Sequence, residues 1–144
     1  RQRAEHLAER TFELSQFLVW RGMTKAPGRL QARVGWHDGC HGLRELGVGQ
    51  EPRQLLRTVT GVEFVELRGS DECCGFGGTF AGQFGDVAAA IADRKCAAIE
   101  ATGAGAVVLG DLGCMLNIEG RLRRRGDTKT RVLHVAEVLA GKAG

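Results

Sequence analysis

Four of the five cysteines lie where thiols could act together. The segment "DECCGFGG" (71–78) places Cys73 and Cys74 side by side, and neighbouring cysteines form a disulfide only in a strained ring. Cys40 and Cys114 lie in two further glycine-containing segments, "HDGCHG" and "GDLGCM". An odd number of cysteines, two of them adjacent, argues against a disulfide framework. It indicates a reducing compartment, the cytoplasm, where thiols bind metals or take part in catalysis.

Each of these cysteine segments follows a predicted strand. The residue pattern predicts strands over 32–37, 62–67, 106–109 and 131–135. It predicts helices over 4–21, 51–59, 86–103 and 115–125, the third capped by Asp86 and closed by Gly103. Strands that alternate with helices indicate an α/β fold, here a parallel sheet of about four strands with helices packed on its faces.

The carboxyl ends of parallel strands meet at one edge of a sheet, and ligands bind in the crevice there. We therefore expect Cys40, Cys73, Cys74 and Cys114 to lie together at that edge and to bind a metal. Cys96 lies within the predicted helix 86–103, and we expect it to be a passive, buried thiol. The spacing is that of neither a zinc finger nor a bacterial ferredoxin, so the residues alone leave the metal open.

Three motifs together resemble one family. The segments "HDGCHGLRELG" (37–47), "CCGFGGTF" (73–80) and "GDLGCMLNI" (110–118) are similar to the cysteine-rich CCG domain. That domain occurs in heterodisulfide reductases, in the iron–sulfur subunit of glycolate oxidase and in lactate-utilisation iron–sulfur proteins, which the chain resembles over nearly its whole length. The resemblance implies an iron–sulfur cluster, [4Fe-4S], with Cys40, Cys73, Cys74 and Cys114 as ligands. Reductase members carry Cys-x-x-Cys where this chain has Asp111 in the first position.

The resemblance also implies a function. CCG domains usually occur in pairs, so residues 1–144 are expected to form a single CCG domain, the C-terminal half of a two-domain protein. The implied role is electron transfer within an oxidoreductase complex that oxidises lactate, glycolate or a related 2-hydroxy acid. The expected partners are the other subunits and the missing N-terminal domain. Substrate oxidation is expected in a partner, because "GFGGTF" lacks the spacing of a dinucleotide fingerprint.

Two other functions stay open from the residues. The domain could be a redox-silent scaffold or binding domain, with a structural zinc held by four thiolates or with no metal. Its thiols could instead undergo disulfide exchange. Iron with sulfide would indicate the first function, zinc the second, and redox-active thiols without metal the third.

The remaining polar residues carry weaker signals. His37 and His41 flank Cys40 and are candidates for ligation, for hydrogen bonding to a cluster sulfur or for packing, whereas His6 and His134 are expected to be structural. Arg44 and Glu45 are expected on a solvated helix face or at a partner. A net charge of +3 and the short basic run "RLRRR" (121–125) do not indicate nucleic-acid binding. No apolar run is long enough to span a membrane.

Overall fold

The structure is a computed structural model that describes residues 1–143. Its strands are β1 (Arg29–Trp36), β2 (Thr60–Val65), β3 (Ala106–Leu109) and β4 (Arg131–His134). They form one sheet in the order β2-β1-β3-β4, and every neighbouring pair is parallel. The predicted parallel α/β fold of four strands is therefore confirmed. The two central strands, β1 and β3, place their carboxyl ends side by side.

Helices connect these strands and flank the sheet. In chain order they are α1 (Gln2–Ala8), α2 (Leu14–Trp20), α3 (Cys40–Glu45), α4 (Glu51–Thr58), α5 (Thr79–Gln83), α6 (Gly85–Ala101), α7 (Leu112–Arg124) and α8 (Val135–Ala140). Within residues 1–143, none of them combines the length and the apolar character that a membrane span requires.

The core lies on both faces of the sheet. Successive residues of β3 alternate between two hydrophobic clusters, with Val108 on one side and Val107 on the other. Helices α4 and α8 cover the first side through Leu56 and Val138. Helices α6 and α7 cover the second through residues such as Ile118. All four residues of β3 are buried, as expected for a parallel strand with helices on both faces.

The predicted helix over 4–21 is wrong in one respect, because the structure divides it into α1 and α2. The break occurs before Leu14, where the Glu13 carboxylate accepts hydrogen bonds from the backbone N–H groups of Ser15 and Gln16. A side chain that satisfies the first free N–H groups starts a new helix. The break leaves Phe12 stacked on Trp20, with ring centroids 5.3 Å apart.

Two other helix boundaries also differ from the prediction. Asp86 does not cap α6, because the short helix α5 leads directly into α6 and Phe84 occupies the capping position. Asp86 lies instead in the first helical turn, where its carboxylate interacts favourably with the helix dipole. Helix α7 begins at Leu112 rather than at residue 115, because the Asp111 carboxylate caps it. This earlier start places Cys114 inside the first turn.

Candidate metal centre

All four predicted ligand cysteines lie in segments that leave the carboxyl edge of the sheet. Cys40 is the first residue of α3, which follows β1. Cys73 and Cys74 lie in the loop between β2 and α5, and Cys114 lies near the start of α7, after β3. The sequence-based placement of the cysteines at strand ends is therefore correct for all three segments.

The structure brings two of these cysteines together with a histidine. The Sγ atoms of Cys74 and Cys114 are 3.1 Å apart, which is hydrogen-bond distance and well beyond a disulfide bond. A ring nitrogen of His37 and these two sulfurs all lie within 4.8 Å of one another. The three side chains are 1% to 5% exposed. Two soft sulfur donors and an imidazole thus share one buried place at the sheet edge.

The two sulfurs alter each other's acidity. The hydrogen bond with Cys114 lowers the pKa of the Cys74 thiol from 9.0 to about 4, although burial opposes this change. The same hydrogen bond, together with burial, raises the pKa of Cys114. In the metal-free pair, the shared hydrogen bond therefore favours ionisation of Cys74 and opposes ionisation of Cys114. A thiolate is the form of cysteine that binds metals.

The side chains of Asp111 and Asn117, at the start of α7 and within it, form hydrogen bonds to the backbone of the two cysteines. The Asp111 carboxylate accepts a hydrogen bond of 2.8 Å from the backbone N–H of Cys114. The amide of Asn117 donates a hydrogen bond of 2.7 Å to the carbonyl oxygen of Cys74. The Phe76 N–H points at the Cys74 sulfur, 3.4 Å away. Of these three contacts, the hydrogen bond from Asn117 joins the two cysteine segments.

Gly75 lets the cysteine loop pass close to α6. Its φ is +86°, and a Cβ at this position would lie 2.4 Å from the carbonyl oxygen of Ala88. Both the left-handed backbone and the lack of space require glycine here. The glycine after the cysteine pair is therefore explained by packing against α6.

A buried ion pair ties the end of β1 to the neighbouring loop. The Arg53 guanidinium donates to both carboxylate oxygens of Asp38, at 2.8 and 2.7 Å, and to Ser70 Oγ at 3.2 Å. The Trp36 indole donates to the same carboxylate, and the backbone N–H of Asp38 donates to the Ser70 carbonyl. Burial opposes the effect, but the hydrogen bonds from Arg53 and Trp36 lower the pKa of Asp38.

Lys95 of α6 holds the same loop through hydrogen bonds to its backbone. This residue of α6 is only 2% exposed, and its Nζ donates to the carbonyl oxygens of Gly69 and Ser70 at 2.6 and 3.3 Å. Sequence reasoning missed Lys95 and the Asp38–Arg53 pair. A signal for Lys95 was present, since it is a lone charge beside Ala92, Cys96 and Ile99 on the apolar side of the helix.

The other cysteines lie outside the buried group. Cys40 and Cys73 are exposed, and in the part of the chain that the structure describes they do not join the three-residue cluster. The Cys73 sulfur accepts a hydrogen bond from the Gly75 N–H at 3.3 Å. Cys96 is fully buried, and burial raises the pKa of its thiol to about 11. These properties make Cys96 the passive thiol that its position in the helix predicts.

The remaining polar candidates pair with other side chains or cap a helix within the domain. His41 is exposed, and its Nδ1 lies 3.6 Å from Oε2 of Glu45, one turn further along α3. His134 caps α8, because its Nδ1 accepts the Ala136 N–H while Glu137 accepts the His134 N–H. In the basic run, Arg121 and Arg125 pair with acidic residues of α6. Within the chain, these arginines therefore join two helices.

The residues present fit a soft metal or an iron–sulfur centre. Cysteine sulfurs and imidazole are the donors that iron–sulfur clusters and zinc accept. Both ring nitrogens of His37 are buried without a hydrogen-bond partner among the described residues, although such groups are nearly always satisfied. A bound metal group beside the two sulfurs would supply that missing partner.

The chain is similar to known proteins over most of its length. The family profile described as CCG, cysteine-rich domain, matches residues 34–119, which include all four candidate ligands. The chain is 44% identical to lactate utilization protein A 2 of Bacillus cereus (strain Q1) over 140 residues, which cover 96% of this chain and 57% of that protein. It is 41% identical to lactate utilization protein A of Bacillus subtilis (strain 168), covering 95% and 58%. The chain thus spans less than two thirds of these relatives, and the chain itself belongs to the CCG cysteine-rich domain family.

Proposed function

We propose that this chain is an iron–sulfur electron-transfer component of an oxidoreductase complex that oxidises lactate, glycolate or a related 2-hydroxy acid in the cytoplasm. The observation that carries the proposal is the buried group of Cys74, Cys114 and His37, with two sulfurs 3.1 Å apart. The group lies within the matched family region, in a chain similar to lactate utilization proteins A. Oxidation of the substrate itself is assigned to a partner in this proposal.

The proposed ligands are Cys40, Cys73, Cys74 and Cys114, for a cluster of the [4Fe-4S] type. Such a cluster accepts and donates single electrons when bound. The chain's own part is to hold thiolates at one edge of the sheet and to exclude water from the inner pair. The lowered pKa of Cys74 keeps this sulfur ready for a metal at neutral pH. Exposure of Cys40 and Cys73 leaves the outer side of the site accessible.

An apolar surface beside the cysteines supports a protein partner. Phe76, Leu112 and Leu116 are 47%, 67% and 71% exposed, and all three lie within two residues of a proposed ligand. The rings of Phe80 and Phe84, on the helices that follow the cysteine pair, are also exposed and lie with centroids 5.5 Å apart. Contiguous exposed apolar groups mark interaction sites. The partners that we propose are other subunits of the complex, which would approach close enough to exchange electrons.

Zinc is the second candidate, because two thiolates and an imidazole also suit a zinc site. A zinc site would make this domain a redox-silent scaffold. Metal identity therefore separates the two functions.

The test is metal analysis of the full-length protein, purified without oxygen. We expect iron and sulfide with a coloured visible spectrum. Cys74→Ser and Cys114→Ser should each lower the iron content and the electron transfer of the reconstituted complex, because a serine hydroxyl stays protonated near neutral pH and is a poor ligand for iron.

Cys96→Ser is the matched control, since Cys96 is a buried cysteine on the same face of the sheet but outside the cluster. It should keep the iron content of the wild type. A colourless wild-type protein that contains zinc would overturn the proposal. Serine variants that keep both iron and turnover would also overturn it.

A further inference from the structure

His37 is buried in a way that the cysteine ligands alone do not explain. Its side chain is 1% exposed, and neither Nδ1 nor Nε2 has a hydrogen-bond partner in residues 1–143. Buried polar groups without any partner are rare and indicate an unrecorded water, ion or functional role.

The surroundings of the ring point to a metal centre. A ring nitrogen lies within 4.8 Å of the sulfurs of both Cys74 and Cys114. These sulfurs form a hydrogen bond with each other at 3.1 Å, and neither lies in hydrogen-bond geometry with the imidazole. A group placed among the three side chains would meet two sulfurs and one nitrogen. Imidazole and thiolate are found together on iron–sulfur centres and on zinc.

The backbone holds the ring at this place. The His37 N–H donates to the carbonyl oxygen of Val108 on the adjacent central strand, at 3.0 Å. The next residue, Asp38, donates its N–H to the Ser70 carbonyl and binds Arg53 through its carboxylate. His37 is thus fixed between β3 and the cysteine loop. A ligand on such a rigid segment is positioned before the metal arrives.

The other polar side chains close to the pair are already engaged. The Asp111 carboxylate accepts the Cys114 N–H and serves as the cap of α7. His41 is exposed and faces Glu45. Among these three residues, His37 is the one that combines burial, unpaired nitrogens and contact distance to the sulfurs.

From these observations we propose that His37 binds the metal centre directly, through one ring nitrogen, beside Cys74 and Cys114. This inference rests on the proposed function, because it concerns the same centre. Each iron of a [4Fe-4S] cluster offers one terminal position, so His37 would take the place of one of the exposed cysteines, Cys40 or Cys73. A nitrogen ligand carries less negative charge than a thiolate and therefore raises the potential of an iron–sulfur centre. The site would then be tuned by a residue that directly follows the central strand β1.

The experiment uses the full-length protein, purified without oxygen, with histidine labelled by nitrogen-15. Pulsed electron paramagnetic resonance of the paramagnetic cluster should show the strong nitrogen-15 coupling of a directly bound imidazole. This coupling should be lost in His37→Ala and kept in His41→Ala, the matched histidine of the same segment. If His37→Ala does not fold, His37→Gln retains a buried polar side chain and should show the same loss.

Each outcome decides between the two proposals. A cluster without strong histidine coupling, or with coupling that survives in His37→Ala, overturns the role of His37 and leaves the electron-transfer function standing. A weak nitrogen-15 coupling alone, as expected from a hydrogen bond to a cluster sulfur, also overturns the role of His37 as a ligand. Zinc in place of iron overturns the electron-transfer function only, and zinc-edge X-ray absorption of the same variants then tests nitrogen ligation. Protein without any metal contradicts both.

Discussion

Asp111 occupies the position where reductase domains of similar sequence carry a cysteine, and in this chain its carboxylate caps α7. The Oδ1 atom accepts the backbone N–H of Cys114 at 2.8 Å. The cap therefore acts on the same residue that carries one of the two paired sulfurs. A carboxylate at this point stabilises the first helical turn and fixes where Cys114 lies.

Replacing this cap should weaken the domain by a modest amount. Asp111→Ala should lower the free energy of unfolding by about 0.5–2 kcal/mol, because an N–H at the start of the helix loses its partner. Urea denaturation of the reduced, metal-free protein measures the change. Asp111→Asn is the control, since asparagine caps helices as well as aspartate does. An asparagine variant as unstable as the alanine variant would show that the carboxylate has a different role.

The site could be predicted from the sequence in part. Cys74 and Cys114 follow strands of a parallel sheet, so strand-end placement was enough to bring them together. The burial of His37 could not be predicted in the same way, because it depends on two distant segments, those of Cys74 and Cys114, that lie beside its ring. Sequence spacing does not show which flanking histidine points inward. Whether Cys40 and Cys73 also bind the centre stays a prediction.

At the scale of elements, an ionic cluster joins α6 to α7. The Asp93 carboxylate accepts hydrogen bonds from Arg121 and from Arg125, the latter at 3.1 Å. Arg125 also binds Glu100 at 2.7 Å. The hydrogen bond from Arg121, followed by that from Arg125, lowers the pKa of Asp93 from 3.8 to about 2. The helix that carries Cys114 is thereby attached to the long helix beside it.

This cluster should make stability depend on pH in an acidic range. A carboxyl group whose pKa is lower in the folded state stabilises the fold above its unfolded pKa, and this contribution is lost as pH falls. For Asp93 the loss should occur between about pH 4 and pH 2. The difference in unfolding free energy between wild type and Asp93→Asn should be constant above about pH 5 and shrink below it.

Urea denaturation at a series of pH values provides the measurement. A wild-type profile that runs parallel to that of Asp93→Asn down to pH 2 would contradict the prediction.

Strands were easier to predict than helix ends. The four apolar residues of β3 could pack only between two layers, so strand and sheet type followed from composition. The helix over 4–21 was predicted as continuous because its apolar spacing is continuous. Its break depends on the Glu13 side chain turning back to two N–H groups, which periodicity does not record. Similarly, Phe84 replaces Asp86 at the start of α6 because a preceding helix fixes the backbone there.

Across the whole molecule, Arg53 connects parts that are distant in the chain. Its side chain is 8% exposed and reaches from α4 to Asp38 after β1, and to Glu66 and Ser70 after β2. Asp38 is 5% exposed, so the pair has little access to water. Two of the three strand ends that lead into cysteine segments, those of β1 and β2, are thus held together by one guanidinium.

Removing this guanidinium should be costly. Arg53→Met should lower the free energy of unfolding by about 3–5 kcal/mol, because it leaves the Asp38 carboxylate buried without its counter-ion. Arg57→Met is the matched control on the same helix, where an exposed arginine pairs with Glu66 and should contribute about 1 kcal/mol or less. Denaturation of both variants gives the comparison. Similar losses of unfolding free energy in the two variants would show that the Asp38–Arg53 pair is not effectively buried.

The distribution of the buried group along the chain has a consequence for biogenesis. Cys74 and Cys114 are 40 residues apart, and His37 belongs to yet another segment. No single segment among residues 1–143 therefore carries all three side chains of the buried group. The hydrophobic clusters on both faces give the sheet its own driving force to form. The three side chains of the buried group would then come together only as the sheet forms, so a metal would meet all of them at once only in the folded domain.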